Sequence, residues 1–280
     1  MVQMSRPLVR REQLTSADGT EIAVTVTGDG PPLVVCHGSM ATARDWQLVA
    51  RRLASGLTVY GPDRRGHDRS GDHPAYGLDR EQEDLASVAD LAGGDVTLLG
   101  HSYGAVIALA LALREPPERL VLYEPPLPVS NLVGGAAVDD YERAVRAGDP
   151  DGALALGLRE FVGMPGEAIA LMRGQPIWAR LTGLVPSWPR EIRALDDYLT
   201  DLGGDLGPFR ALEVPVLLLT GELSPPWLIE ATHRLAGVLP DATVVTLAGQ
   251  AHDAHIFAPA TVAEQIARFA RGARGTASRT

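Results

Sequence analysis

Apolar residues in this chain fall into bursts of four to six, separated by longer stretches in which apolar and polar positions mix at helical spacing. The bursts are Leu33 to Cys36, Leu57 to Tyr60, Asp95 to Leu99, Leu120 to Tyr123, Pro215 to Thr220 and Thr243 to Leu247. Runs this short, with no polar face of their own, read as buried strands. Before them, Glu21 to Val26 alternates like a half-buried strand that follows the turn residues Ala17-Asp18-Gly19. The residues ahead of that turn read as an irregular start. Helical patterns cover Asp45 to Ala54, Arg80 to Leu91, Tyr103 to Leu113, Trp227 to Val238 and Ala260 to Arg271. Alternation of this kind predicts the α/β class, a mostly parallel central sheet flanked by helices on both faces.

One interval breaks the alternation. The roughly 90 residues between Tyr123 and Val214 hold helical patterns and no convincing strand, and are punctuated by Pro165, Pro176, Pro186 and Pro189. A structureless loop of that length is foreign to a compact domain, so a helical insertion is expected. The expected division is a core of 1–128 and 208–280 with the insertion at 129–207.

Composition narrows the function. The chain has 280 residues, of which 45% are hydrophobic and 21% charged, enough to bury a sizeable core. A formal net charge of −10 argues against a nucleic-acid partner, since phosphate binding draws on clustered basic residues. All 25 basic residues are Arg, which reads as coding bias and points to no partner. Met1 to Arg11 lacks the apolar run of about 7 residues that a signal peptide needs, and no stretch of about 18 apolar residues is present to span a bilayer. A cytoplasmic location without membrane contact is expected. The single Cys36 forms no internal disulfide, which agrees with a reducing compartment. Monomer and homodimer are both compatible with the sequence.

The chemistry concentrates at Gly100-His101-Ser102-Tyr103-Gly104, directly after an apolar strand and at the start of an Ala-rich helix. That is the context a G-x-S-x-G nucleophile elbow requires. The two glycines permit a sharp strand-to-helix turn, and the helix N-terminus favours negative charge developing beside Ser102. Three further landmarks accompany it: His37-Gly38-Ser39-Met40 after an early strand, Asp63-Arg64-Arg65-Gly66-His67-Asp68-Arg69-Ser70, and Gly249-Gln250-Ala251-His252.

Together these motifs resemble the α/β-hydrolase family over nearly the whole chain, from about Gly19 to Phe269. The resemblance implies the α/β-hydrolase fold with a helical cap inserted after the sixth strand. It implies Ser102 as nucleophile, with the backbone N–H groups of Tyr103 and Ser39 as oxyanion donors and Met40 as a register alternative. The second landmark departs from the family's D-x-R-G-x-G-x-S at Asp68, which replaces Gly, so that turn is expected to be built differently. His252 fits the late general base, because the order in this fold is nucleophile, acid, base. His255 is its rival; a His252–His255 metal pair lacks accompanying Cys or carboxylate ligands.

The acid is displaced. Most members place Asp after the seventh strand, yet Gly221-Glu222-Leu223-Ser224 puts Ser there. A triad needs a carboxylate to hold the imidazole tautomer. Glu124 is the first choice, because some haloalkane dehalogenases and related members carry their acid after the sixth strand. Glu222 and a Ser-His dyad remain open.

The cap implied by the resemblance lines the substrate pocket. Trp178 and Trp188, with Phe161, Met164, Met172 and Tyr198, are its large apolar residues, and Trp227 after the seventh strand is a further candidate. His37 and Met40 join the expected pocket lining, although His37 is suited to bracing its loop. A Ser nucleophile points away from epoxide opening and halide displacement, for which relatives use Asp. What remains is acyl transfer on a small ester, lactone or thioester, with no cofactor and no metal. Non-hydrolytic work in the same pocket (cyclisation, elimination or acyl transfer) and ligand binding without turnover are the alternatives.

Overall fold

The computed structural model describes residues 8–128 and 131–272. Eight strands form one sheet: β1 (Val9–Thr15), β2 (Glu21–Thr27), β3 (Pro32–Cys36), β4 (Thr58–Pro62), β5 (Thr97–His101), β6 (Arg119–Tyr123), β7 (Val216–Gly221) and β8 (Ala242–Leu247). Their order across the sheet is β1-β2-β4-β3-β5-β6-β7-β8. The β1–β2 and β2–β4 pairs are antiparallel and every later pair is parallel.

The expected irregular start is corrected by β1. Its residues are all exposed or half-exposed, and Arg10, Arg11 and Glu12 lie within it. Register with β2 holds it, Val9 opposite Thr27 through Thr15 opposite Glu21, with no apolar face to read. Charges on an edge strand discourage pairing with other chains, and the same charges conceal the strand in the sequence.

The buried strands alternate between two cores, as a period of two requires. Val34, Cys36, Leu98, Leu120, Leu122, Val216 and Leu218 face one layer. That layer includes α2 (Leu78–Leu91), α3 (Tyr103–Arg114) and α9 (Pro226–Ala236). Leu33, Val35, Leu99, Val121, Leu217 and Leu219 face the other, covered by α1 (Gln47–Leu53) and α11 (Pro259–Arg271).

Between β6 and β7 the described residues form five α-helices: α4 (Ala137–Arg146), α5 (Pro150–Glu160), α6 (Gly166–Arg173), α7 (Pro176–Thr182) and α8 (Trp188–Leu202). The cap therefore follows the sixth strand; the expected boundary at 129 lies outside the described residues, as do Met1 to Pro7 of the start. The cap has its own core, built from Tyr141, Leu154, Leu158, Phe161, Trp188 and Ile192 among others. Helix α8 joins the two bodies, because Trp188 and Ile192 belong to the cap core while Leu195 and Leu199 belong to the core beneath. Among the described residues, no helix is long and apolar enough to cross a membrane.

Candidate active site

Strands β5 to β8 lie side by side in parallel, so the loops that leave their C-terminal ends converge on one edge of the sheet. The expected nucleophile follows β5, the two candidate acids follow β6 and β7, and the expected base follows β8.

Ser102 takes φ 54° and ψ −124°, a conformation that non-glycine residues rarely adopt and that marks strain. Its N–H donates to the Tyr123 carbonyl at 2.9 Å, which ties the elbow to the adjoining strand. The turn is possible because Gly104 has no side chain: a Cβ there would stand 2.3 Å from the Cys36 carbonyl oxygen and 2.5 Å from that of His37. Gly38 approaches equally closely, for a Cβ on it would lie 2.9 Å from the Ser102 Cβ. The loop holding Ser39 and Met40 is thus pressed against the elbow.

Glu124 ends β6 with φ 48° and is fully buried. One carboxylate oxygen, Oε1, accepts from the Thr220 hydroxyl at 2.9 Å and from the Gly221 N–H at 2.7 Å. The other, Oε2, accepts from His252 Nδ1 at 2.5 Å. Burial alone would raise the pKa of this carboxyl, but the hydrogen bond and charge of His252, with Ser224 and the Gly221 N–H, hold it below its ordinary value. The reciprocal effect appears on His252: burial opposes its protonation, yet Glu124 outweighs that and raises its pKa. With Nδ1–H committed to Glu124, Nε2 is left as the proton acceptor. The ring sits 4.6 Å from that of His101, the residue before Ser102, and His101 Nε2 donates to the His252 carbonyl at 3.1 Å.

Glu222 does not meet His252. It is exposed, and its Oε2 accepts the Gly249 N–H at 2.7 Å, fixing the loop that leads to the histidine. Ser224, at the position of the usual acid, is buried and near enough to Glu124 to help lower its pKa. His255 is almost fully buried and stacks on Trp46 with ring centroids 4.7 Å apart; burial first, then His252 and Arg180, push its pKa down to about 3. It stays neutral, and among the described residues neither of its ring nitrogens has a hydrogen-bond partner. His101, Asp253 and His255 bring one potential ligand atom each within 4.8 Å of one another.

His37 is corrected as a pocket-lining residue. It is fully buried, its Nδ1–H donates to the Gly38 carbonyl at 2.8 Å, and its Nε2 accepts the Arg64 N–H at 3.1 Å. Both nitrogens are spent on the main chain, so it braces the loop and offers nothing to a ligand. Burial, then the nearby Arg64 and His67, lower its pKa well below the ordinary value.

Trp178 and Trp188 are packed inside the cap core. Trp178 donates from Nε1 to Asp151 at 2.6 Å, and Trp188 meets Tyr141 and Phe161 edge-on at 5.7 and 5.3 Å. Internal packing accounts for their burial. Met40, with φ 55°, is half-buried against that cap core, and half-buried Trp227 donates from Nε1 to the Val162 carbonyl at 3.3 Å. These two bridge core and cap. Asp68 adopts φ 40° in place of the family's Gly, and its carboxylate binds Arg44 at 2.9 Å.

Sequence reasoning missed a buried polar group under the cap, comprising Arg64, His67, Glu81 and Glu191. One signal was available: along α8, Trp188, Ile192, Leu195 and Leu199 form an apolar stripe, and Glu191 falls on it.

Residues 33–265 match the model of the alpha/beta hydrolase family. The chain is 27% identical over 254 residues to 2-(acetamidomethylene)succinate hydrolase of Mesorhizobium japonicum, covering 86% of this chain and 88% of that protein. It is 32% identical over 225 residues to a non-heme haloperoxidase of Rhodococcus erythropolis, covering 75% of this chain and 80% of the relative. A crystal structure of an alpha/beta hydrolase from Sphaerobacter thermophilus superimposes with a TM-score of 0.83 at 32% identity, over 92% of this chain and 99% of that one.

Proposed function

The chain belongs to the alpha/beta hydrolase family, and we propose that it is a serine hydrolase cleaving a small ester, lactone or thioester through a Ser102-His252-Glu124 triad. The observation that carries this reading is the 2.5 Å contact between His252 Nδ1 and the buried Glu124 carboxylate, with the His252 ring 4.6 Å from that of His101, which directly precedes a serine held on a strained elbow. His252 Nε2 takes the hydroxyl proton as Ser102 Oγ attacks the carbonyl carbon. The N–H groups of Tyr103 and Ser39 receive the developing oxyanion, and His252 returns its proton to the leaving group. Water, activated by the same nitrogen, then cleaves the acyl-enzyme. Each step is an acyl transfer that the chain's own groups complete.

Non-hydrolytic work in the same pocket is the alternative, and a displaced acid is compatible with it. Glu124 supplies His252 with the carboxylate that a hydrolytic triad needs, which supports hydrolysis as the first reading.

Hydrolysis of short-chain p-nitrophenyl esters tests the proposal, read as kcat/KM against pH. His252 acts only when neutral, and Glu124 raises its pKa, so the rate is expected to climb through an apparent pKa above the ordinary value of 6.5 and then level off. Glu124→Gln removes the charge that favours the imidazolium and should move that midpoint down. No turnover of any such ester, or a rate indifferent to pH from 5 to 9, would count against the reading.

A further inference from the structure

The buried polar group under the cap forms an unbroken chain of contacts from α8 to the loop beside the nucleophile. Glu191, on α8, has its side chain 1% exposed and is bonded to Nη2 of Arg64, on the loop after β4. Its Oε1 also accepts from His67 Nε2 at 2.6 Å. Among the described residues Arg64 Nε and Nη1 find no partner, so the guanidinium is anchored by hydrogen bonds through one nitrogen, which stands 3.7 Å from Glu81 of α2. Of Glu191, His67 and Glu81, Glu191 alone belongs to the cap.

From Arg64 the chain continues along the main chain. The Arg64 N–H donates to His37 Nε2 at 3.1 Å, and His37 Nδ1–H donates to the Gly38 carbonyl at 2.8 Å. The Gly38 carbonyl and the Ser39 N–H are the two ends of one planar trans peptide unit and point opposite ways. Fixing the carbonyl on His37 therefore fixes the direction of the Ser39 N–H, one of the two donors proposed for the oxyanion. The same guanidinium reaches the residue of the other donor, lying 4.9 Å from the centre of the Tyr103 ring. Glu191 also meets the loop directly: burial raises its pKa, but Arg64, then His67 and last the Ser39 hydroxyl hold it down to about 2.

We infer that Glu191 is a positioning residue for the oxyanion hole: from the cap, through Arg64 and His37, it sets the direction of the Ser39 N–H, so the hole is complete only with the cap seated. This rests on the serine-hydrolase reading and adds to it a residue from outside the triad and its loops. Apolar side chains would seal cap against core as firmly as an enclosed ion pair does. A paired charge also fixes a direction, which is what an oxyanion donor requires. Such donors act where charge develops, so losing their aim lowers kcat more than it raises KM.

Two variants of the full chain test this, with p-nitrophenyl butanoate as substrate and propane-1-boronic acid as inhibitor. The boron adds the Ser102 hydroxyl oxygen and places one of its own oxygens where the oxyanion forms. E191M removes both the charge and the acceptor: kcat is expected to fall by about 10-fold or more with KM little changed, and the Ki of the boronic acid to rise by the same factor. R64M/E191M leaves neither half of the pair buried alone and carries the test if E191M does not fold; its Ki should also rise by about 10-fold or more. Ki is independent of how much of the enzyme is folded, so a merely structural role does not move it. An unchanged Ki in E191M, or a wild-type Ki in the double variant, would overturn the inference and leave the hydrolase reading standing. A wild type that neither cleaves the ester nor binds the boronic acid would overturn both.

Discussion

Ser102→Ala is expected to lower kcat for ester hydrolysis by about 10⁵–10⁶-fold, the scale on which a serine nucleophile acts with its base. The variant should fold normally. The elbow is held by the Ser102 N–H on the Tyr123 carbonyl and by the missing side chain of Gly104, neither of which the substitution touches. The strain at φ 54° is paid for by the surrounding packing, and alanine meets the same backbone. Circular dichroism with the unfolding midpoint checks the fold, and a stopped assay with days of incubation reads the residual rate. A variant retaining a tenth of the activity would remove Ser102 from the chemistry.

Glu124→Gln should cost about 10³–10⁴-fold in kcat, by analogy with the loss when a triad carboxylate becomes an amide. The mechanism is a tautomer fault. Oε1 accepts two hydrogen bonds, from Thr220 and Gly221, and Oε2 accepts one from His252. An amide has one oxygen to offer. If that oxygen keeps the Thr220 and Gly221 bonds, the NH₂ faces His252 and favours the tautomer protonated on Nε2, which has no lone pair for the serine proton. Glu222→Gln is the control: its carboxylate serves the Gly249 N–H, and the amide oxygen replaces it there, so activity should stay within about 3-fold. The opposite ranking would return the acid to the end of β7.

The contrast between these two carboxylates marks how far the sequence could be read. Strands β3 to β8 were legible because apolar runs with turn residues at their ends have few other outcomes in an alternating chain. The sharp turn at Ser102 was legible because the elbow constrains five consecutive residues. Glu124 was readable as a candidate, but its distinction from Glu222 depends on which side of β7 each carboxylate reaches, and a residue's neighbour across a sheet is not written in its own segment. β1 escaped because its order comes from main-chain pairing with β2. Trp178 and Trp188 looked like pocket residues because large aromatics serve cores and ligands alike; only the neighbouring Tyr141, Phe161 and Asp151 settle where they pack. Arg64 and Glu191 are 127 positions apart, and nothing local joins them.

The central claim is that Ser102 is a nucleophile activated by His252 and Glu124, and a fluorophosphonate probe tests it most directly. Intact mass and peptide mapping of the treated wild-type chain should give a single adduct on Ser102, with labelling slowed by orders of magnitude in Glu124→Gln and abolished in Ser102→Ala. An unlabelled wild type, or an adduct on any other residue, would contradict the account.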